Sequence, residues 1–250
     1  MNTKPHSVLP EAIRDALPPA KPEEDALRRR VLDVLLTPDE LPRMSYGEFL
    51  TWADEDTLAE WVDGEIIMMS PASRQHQRIG MFLAEVVGSF ARMRGLGEVI
   101  QPPFQMKLEH GREPDPLFVA REHLDRLRET YLDGPADLVV EITSPESAGC
   151  DRGEKFYEYA QGGVPEYWLI DPTRKWAEIY ELEGQYYRLA FGGEEGEYRS
   201  RVLPGFWLRA EWLWQEPLPN PLRVLGEVAG LSTGMVETFL QALAGSGRSD

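Results

Sequence analysis

Two short apolar runs, each ending in a carboxylate, constrain this chain more than any other feature. Leu138-Val139-Val140 runs into Glu141, and Tyr167-Trp168-Leu169-Ile170 runs into Asp171. Apolar runs of this length between turn residues read as buried strands. A charge at the end of such a strand is costly unless it has a task or a partner. Between the runs a helix is expected over 147–161, closed by Gly162-Gly163. It carries Lys155, with Asp151 and Tyr159 at i−4 and i+4. Two readings of Lys155 stand level: an i,i+4 pair with Asp151, or an ammonium delivered to Glu141. Asp171, followed by Pro172, reads as a turn initiator.

The preceding half supplies a second set of elements. Ser45-Tyr46-Gly47-Glu48 has capping-box spacing and predicts a helix to about Ala53. Asp63-Gly64 predicts a hairpin, with Glu60 and Trp61 on its first strand and Ile66 to Met69 on its second. Ile79, Phe82, Leu83, Val86, Phe90 and Met93 repeat at helical spacing over 75–94, and Gly95 can end that helix. Arg74, Arg78 and Arg92 share a side with Glu85, which reads sooner as a solvated face than as a phosphate contact. His76 flanks the apolar stripe, near enough to the Glu60 hairpin to approach a site there.

A strand is expected from Val99 to Leu108, a turn over Gly111 to Glu113, and a short strand from Pro114 to Val119. The prolines place that last strand at an edge or a strand start. Residues 121–132 read as helix. A hairpin follows over 176–182 and 185–190, then an acidic loop over 192–196, and the stretch Leu203 to Leu208 closes the compact part. Past Gln215 comes a linker and a helix, Thr233 to Ala244, with Met235, Phe239, Leu240 and Leu243 on its apolar side. This order predicts an α/β (α+β) sandwich around a mixed β-sheet flanked by helices. Residues 1–36 read as a Pro-rich N-terminal extension, with a short helix over 24–36 carrying Arg28-Arg29-Arg30. Residues 37–213 form the main domain, and 214–250 a C-terminal linker and short helix.

Charge narrows the function classes. The 250-residue chain carries 43 acidic and 26 basic side chains, a formal net charge of −17. That argues against a general nucleic-acid binder, since phosphate binding is driven by Lys and Arg. A nuclease remains compatible, because metal ions offset carboxylates within an active site. No apolar stretch is long enough to span a bilayer, and MNTKPHSVLPEAIRD lacks a signal peptide's apolar centre, so a cytoplasmic location is expected. The single cysteine, Cys150, excludes an internal disulfide and reads as an incidental thiol. Phosphate-loop, zinc-protease and serine-hydrolase motifs are absent.

Metal-assisted phosphodiester hydrolysis needs clustered oxygen ligands, and a lysine beside the ion can orient or activate the attacking water, as a general base, or steady the developing negative charge. Asp115 and Glu141 form the best carboxylate pair, because adjacent strands would bring them together. Lys155 is the candidate cation.

These residues resemble a family. AEWVDGEIIMMSPAS-x-x-H, PDPLFV and the long block GPADLVVEITSPESAGCDRGEKFYEYAQGGVPEYWLIDP are similar to the Uma-two family of bacterial restriction endonucleases, within the PD-(D/E)XK nuclease superfamily, over roughly 37–213. The resemblance implies a restriction-endonuclease-like fold and DNA cleavage dependent on Mg²⁺ (or Mn²⁺). It implies Asp115 and Glu141 as catalytic metal ligands, Glu60 as an upstream acid adding a ligand, and Lys155 as the catalytic lysine. Two departures stand out. Thr143 occupies the strand position where the superfamily places lysine, and Pro116 after Asp115 would tilt the strand. A homodimer is expected to suit cleavage of both strands. The rival is a catalytically inactive nuclease fold kept as a binding or interaction module; a hydrolase of another phosphoester is the weaker third reading.

Overall fold

The computed structural model describes residues 43–53, 57–68, 71–145 and 147–245, and a compact unit begins at Met44. The expected N-terminal extension, its helix over 24–36 and Arg28-Arg29-Arg30 lie outside the described residues, as does Met69. From Met44 the chain forms α1 (Tyr46–Trp52), β1 (Ala59–Val62), β2 (Glu65–Met68), α2 (Arg74–Arg94), β3 (Gly97–Ile100), β4 (Gln105–Lys107), β5 (Gly111–Arg112) and β6 (Leu117–Ala120). A 3-10 helix (Arg121–Arg126) leads to β7 (Tyr131–Asp133), β8 (Leu138–Ile142), α3 (Ala148–Arg152), α4 (Glu154–Gly162) and β9 (Glu166–Asp171). Then come β10 (Trp176–Glu183), β11 (Tyr186–Gly193), β12 (Glu197–Arg199), β13 (Trp207–Arg209), a second 3-10 helix (Ala210–Trp214), α5 (Pro221–Val228) and α6 (Thr233–Gly245).

Both larger sheets are mixed, as the element order predicts. The six-stranded sheet runs β11-β10-β9-β8-β6-β3, with β8 and β9 parallel and the other neighbours antiparallel. The five-stranded sheet runs β2-β1-β5-β4-β7, with β4 and β7 parallel. Parallel neighbours need a crossover, and α3 with α4 supplies it between β8 and β9.

Side-chain alternation then assigns the faces. Leu138, Val140 and Ile142 pack with Trp168 and Ile170 against α2, through Ile79, Phe82, Leu83, Val86 and Phe90. Val139, Tyr167 and Leu169 face the other way, toward Tyr159 of α4 and Met106 of the smaller sheet. Glu141 has the parity of Val139, so the pleat turns it toward α4. Trp168 is fully buried between β8 and β10; truncating such a side chain to alanine costs about 3–5 kcal/mol.

Local signals hold where they are strongest. Ser45 and Glu48 form the expected capping box, with Ser45 N donating to Glu48 Oε2 at 2.8 Å and Glu48 N donating to Ser45 Oγ at 3.3 Å. The Asp63-Gly64 hairpin is present, both residues at positive φ. Helix α2 is capped by Ser73 and ends at left-handed Gly95.

Several expectations need correction. Val99 to Leu108 is not one strand. Pro102 and Pro103 lack the N–H a ladder needs, so β3 pairs with β6 and β4 joins the other sheet. Gly111 to Glu113 is not a turn: Gly111 pairs with Trp61 and Lys107 within β5. A Cβ on Gly111 would lie 2.5 Å from the Tyr46 ring, so glycine here marks close approach rather than a turn. Residues 121–132 give the 3-10 helix and then β7, because buried Leu132 pairs beside Met106. The 147–161 helix breaks at Gly153, φ −117° and ψ −91°, into α3 and α4.

Met93 has the stripe's direction but is 67% exposed in the last turn of α2. The C-terminal segment holds an additional helix, α5, whose Val224, Leu225 and Val228 join the core around α2. In α6, Met235, Phe239 and Leu243 of the expected apolar side are exposed and Leu240 is half-buried, while Val236 is buried against Gly226.

Candidate active site

Antiparallel register puts the two proposed acids opposite each other. Leu117 pairs with Val139 across β6 and β8, so position 115 falls across from position 141. Val140 N donates to Pro116 O at 3.1 Å. One step further, the Asp115 side chain replaces a backbone acceptor: Ile142 N donates to Asp115 Oδ2 at 2.7 Å. Pro116 therefore does not swing Asp115 away from Glu141. The same Oδ2 lies 3.2 Å from His76 Nε2, which the first turn of α2 brings in.

Lys155 reaches Glu141 from α4. Its Nζ is 3.1 Å from both Glu141 oxygens, 2.9 Å from Glu60 Oε1 and 3.6 Å from Asp151 Oδ1. Both sequence readings of Lys155 are thus present, with Glu141 and Glu60 nearer than the i−4 partner. Tyr159, one turn further along, donates its hydroxyl to Glu141 Oε1 at 2.7 Å. Thr143 holds the end of β8, its N donating to Ile170 O at 2.8 Å, and carries no charge to the site. Glu60, Glu141 and Lys155 are 2%, 5% and 3% exposed, so desolvation governs their energetics.

One ammonium shared among three acids explains the proton affinities. Burial opposes charge on Lys155, but Glu141, Glu60 and Asp151 together hold it well above the ordinary lysine range. Burial pushes Glu141 well above the usual carboxylate range, and Asp151, Asp115 and Glu60 add to this against the pull of Lys155. Burial likewise raises Asp151. Glu60 goes the other way: burial opposes its charge, but Lys155 and Arg112 together hold it below the usual carboxylate range.

Arg112 forms the back wall, and sequence reasoning missed it. Its guanidinium donates from Nε to Glu158 Oε2 at 2.8 Å and from NH1 to Glu60 Oε2 at 3.0 Å. Glu60 is therefore engaged through both oxygens, with Glu113 N also donating to Oε1 at 3.3 Å. Beyond it, His110 contacts Glu158 at 2.9 Å and Asp63 at 3.2 Å, tying the hairpin to α4. A lone arginine beside glycine in a polar stretch looks the same as a turn until its strand partner is known. Asp171 lies outside the cluster. Its Oδ1 accepts from Arg174 N at 2.9 Å, the expected turn role. Of the three arginines on one side of α2, Arg78 is paired with Glu216 at 2.6 Å.

The donor set suits a hard divalent cation. The acids that face one another are all carboxylates, the oxygen chemistry Mg²⁺ and Mn²⁺ prefer, and a cation beside Glu141 would offset the like charges of Asp151, Asp115 and Glu60 around it. Among the described residues no three His, Cys, Asp or Glu side chains are grouped to hold an ion between them. An ion here would have one or two carboxylates and otherwise water as ligands, an arrangement Mg²⁺ accepts.

Comparison with known proteins agrees with this architecture. A family model described as "Uma2: Putative restriction endonuclease" matches residues 46–211. A crystal structure from Anabaena variabilis, described as "a putative nuclease belonging to DUF820", is similar in fold, with a TM-score of 0.58 and 18% identity. The match covers 68% of this chain and 97% of that one. An uncharacterized protein of Synechocystis sp. is 27% identical over 144 residues, 56% of this chain and 74% of the relative.

Proposed function

Because the chain belongs to the Uma2 family, described as "Putative restriction endonuclease", we propose that it is a DNA endonuclease dependent on Mg²⁺ or Mn²⁺. Asp115 and Glu141 would hold the ion. When bound, the ion would acidify water and draw charge from the scissile phosphate. Lys155, held as an ammonium, steadies negative charge on the phosphate oxygens. Glu60 and Tyr159 position these groups, Glu60 through Lys155 and Tyr159 through Glu141. The observation that carries the reading is the facing of Asp115 and Glu141 across β6 and β8 with the ammonium 3.1 Å from Glu141.

Two copies acting together would cut both strands, and a cytoplasmic location would give access to DNA. No described helix is long and apolar enough to cross a membrane. The second reading, a nuclease fold that binds without cutting, draws on the net charge of −17 and on the closure of the site around Lys155 as an internal counter-ion. Metal titration separates the two. A working site gains thermal stability with Mn²⁺ by ligand linkage, and Asp115→Ala abolishes the gain. A wild type without any Mn²⁺ response supports the binding module.

A further inference from the structure

Carboxylates that ligate metal ions are themselves held by outer partners, which fixes the oxygen they offer. In Asp115 the holding is one-sided, and α2 supplies half of it. Ser73 caps that helix, its Oγ accepting from His76 N at 3.2 Å, so His76 sits in the first turn. Four residues on, along the same face, Gly80 lies close to β8: a Cβ there would be 3.4 Å from Ile142 Cδ1. One turn back toward the helix start, His76 Nε2 lies 3.2 Å from Asp115 Oδ2. Ile142 N donates to the same oxygen at 2.7 Å.

Oδ2 thus has two partners, one from β8 and one from α2, while among the described residues no hydrogen bond reaches Oδ1. The His76 and Asp115 side chains are 20% and 14% exposed, against 3% for both Lys155 and Glu60. Water and ions therefore have access to this pair from solvent, which the sealed members of the cluster do not allow. His76 faces the oxygen the backbone already holds, so it acts on the direction of Oδ1 without occupying it.

We propose that His76 is a positioning residue of the metal site: with Ile142 N it holds Asp115 by Oδ2, and Oδ1 is the oxygen presented to the divalent ion. The proposal rests on the metal-dependent reading given above and assigns the imidazole no place among the ligands. A single backbone contact leaves the carboxylate free to turn about its side-chain bonds. A second contact, from a different element, removes that freedom. The support of that second contact is rigid, since Ile79, Phe82 and Leu83 fix the same end of α2 in the core.

The test measures Mn²⁺ binding directly, through the electron paramagnetic resonance signal of free Mn²⁺, in wild type, His76→Phe and His76→Gln. Metal-free Tm checks that each variant is folded. Phenylalanine keeps a ring and removes the nitrogen, whereas the glutamine amide returns an N–H to Oδ2. The expected result is a Kd for Mn²⁺ raised roughly 10–100-fold in His76→Phe, the usual scale for a lost outer partner, and largely restored in His76→Gln. Wild-type affinity in folded His76→Phe overturns the proposal and leaves the metal site standing. Equal losses in the two folded variants also overturn it, because a returned N–H would then make no difference. A wild-type crystal soaked in Mn²⁺ decides whether or not the variants fold. An ion on Asp115 Oδ1, with Oδ2 still on Ile142 N and His76, supports the proposal; an ion on Oδ2 or on His76 Nε2 overturns it. Absence of Mn²⁺ binding by wild type overturns the metal-dependent reading itself and the positioning role with it.

Discussion

The ammonium of Lys155 lies 3.1 Å from both oxygens of Glu141, although one comes from a helix and the other from the neighbouring strand. Removing one partner of a buried pair leaves an uncompensated charge, at a cost of about 3–5 kcal/mol. Lys155→Met is expected to lower stability by this amount in urea unfolding. Mn²⁺ should recover part of the loss, since it restores positive charge among Glu60, Glu141 and Asp151. An unchanged midpoint would mean that the lysine carries no structural burden.

Tyr159 holds Glu141 from the other side. Tyr159→Phe keeps the ring packing against Tyr167, whose centroid is 5.3 Å away, and removes only the 2.7 Å hydrogen bond. The expected cost is about 1–3 kcal/mol of stability. Cleavage should fall with little change in KM, because the hydroxyl orients Glu141 rather than touching DNA.

Gly111 is required by contact. Alanine there would place its Cβ 2.5 Å from Tyr46 Cε2 and 2.9 Å from Gln105 Oε1. Overpacking of this kind costs about 1–3 kcal/mol. Gly111→Ala should lower Tm and loosen Arg112, its neighbour in β5, so a reduced cleavage rate is expected beside the stability loss. A variant as stable and as active as wild type would remove Gly111 from the account.

Glu113 gives the pH dependence. Burial, with the charge of Glu60 beside it, pushes its carboxyl up to about 7 from 4.5, against hydrogen bonds from the Ala59 backbone and Gln105. A carboxyl raised in the folded state stabilises the fold below the unfolded value, and that contribution is lost as pH rises through the folded one. Metal-free protein should therefore lose stability between about pH 4.5 and 7 through this group. Glu113→Gln should flatten that segment of a Tm-versus-pH curve and raise Tm at pH 8. It also offers an N–H to Gln105 Oε1, a buried acceptor without a partner. An unchanged curve would show that Glu113 titrates as a free acid.

What could be read from the chain follows how local the cause is. The Ser45 capping box, the Asp63-Gly64 hairpin, α2 and strands β8 and β9 are fixed by residues within a few positions, and all are present. Glu141 stands out in the sequence as a charge at the end of a buried strand, whereas Asp115 stands out only as its partner and Lys155 has an i,i+4 reading of equal weight; strand register and the return of α4 are what bring them near one another. Arg112 was not legible, since its meaning lies in Glu60 and Glu158, about 50 residues away on either side. The break of Val99 to Leu108 has a local cause, Pro102 and Pro103, but which sheet each half joins is decided by its strand partners. Asp151 reads in the sequence as the i,i+4 partner of Lys155; its burial is a property of the fold.

The central claim is that Asp115, Glu141 and Lys155 together cut DNA. The direct measurement is nicking of supercoiled plasmid by wild type and by Glu141→Gln, with Mn²⁺ and with chelator. Glutamine keeps an acceptor for Tyr159 and nearly the same volume. The account predicts nicking by wild type with Mn²⁺, none with chelator, and a loss of at least about 100-fold in the variant, the scale of a removed electrostatic stabiliser. Equal nicking by wild type and Glu141→Gln would contradict it.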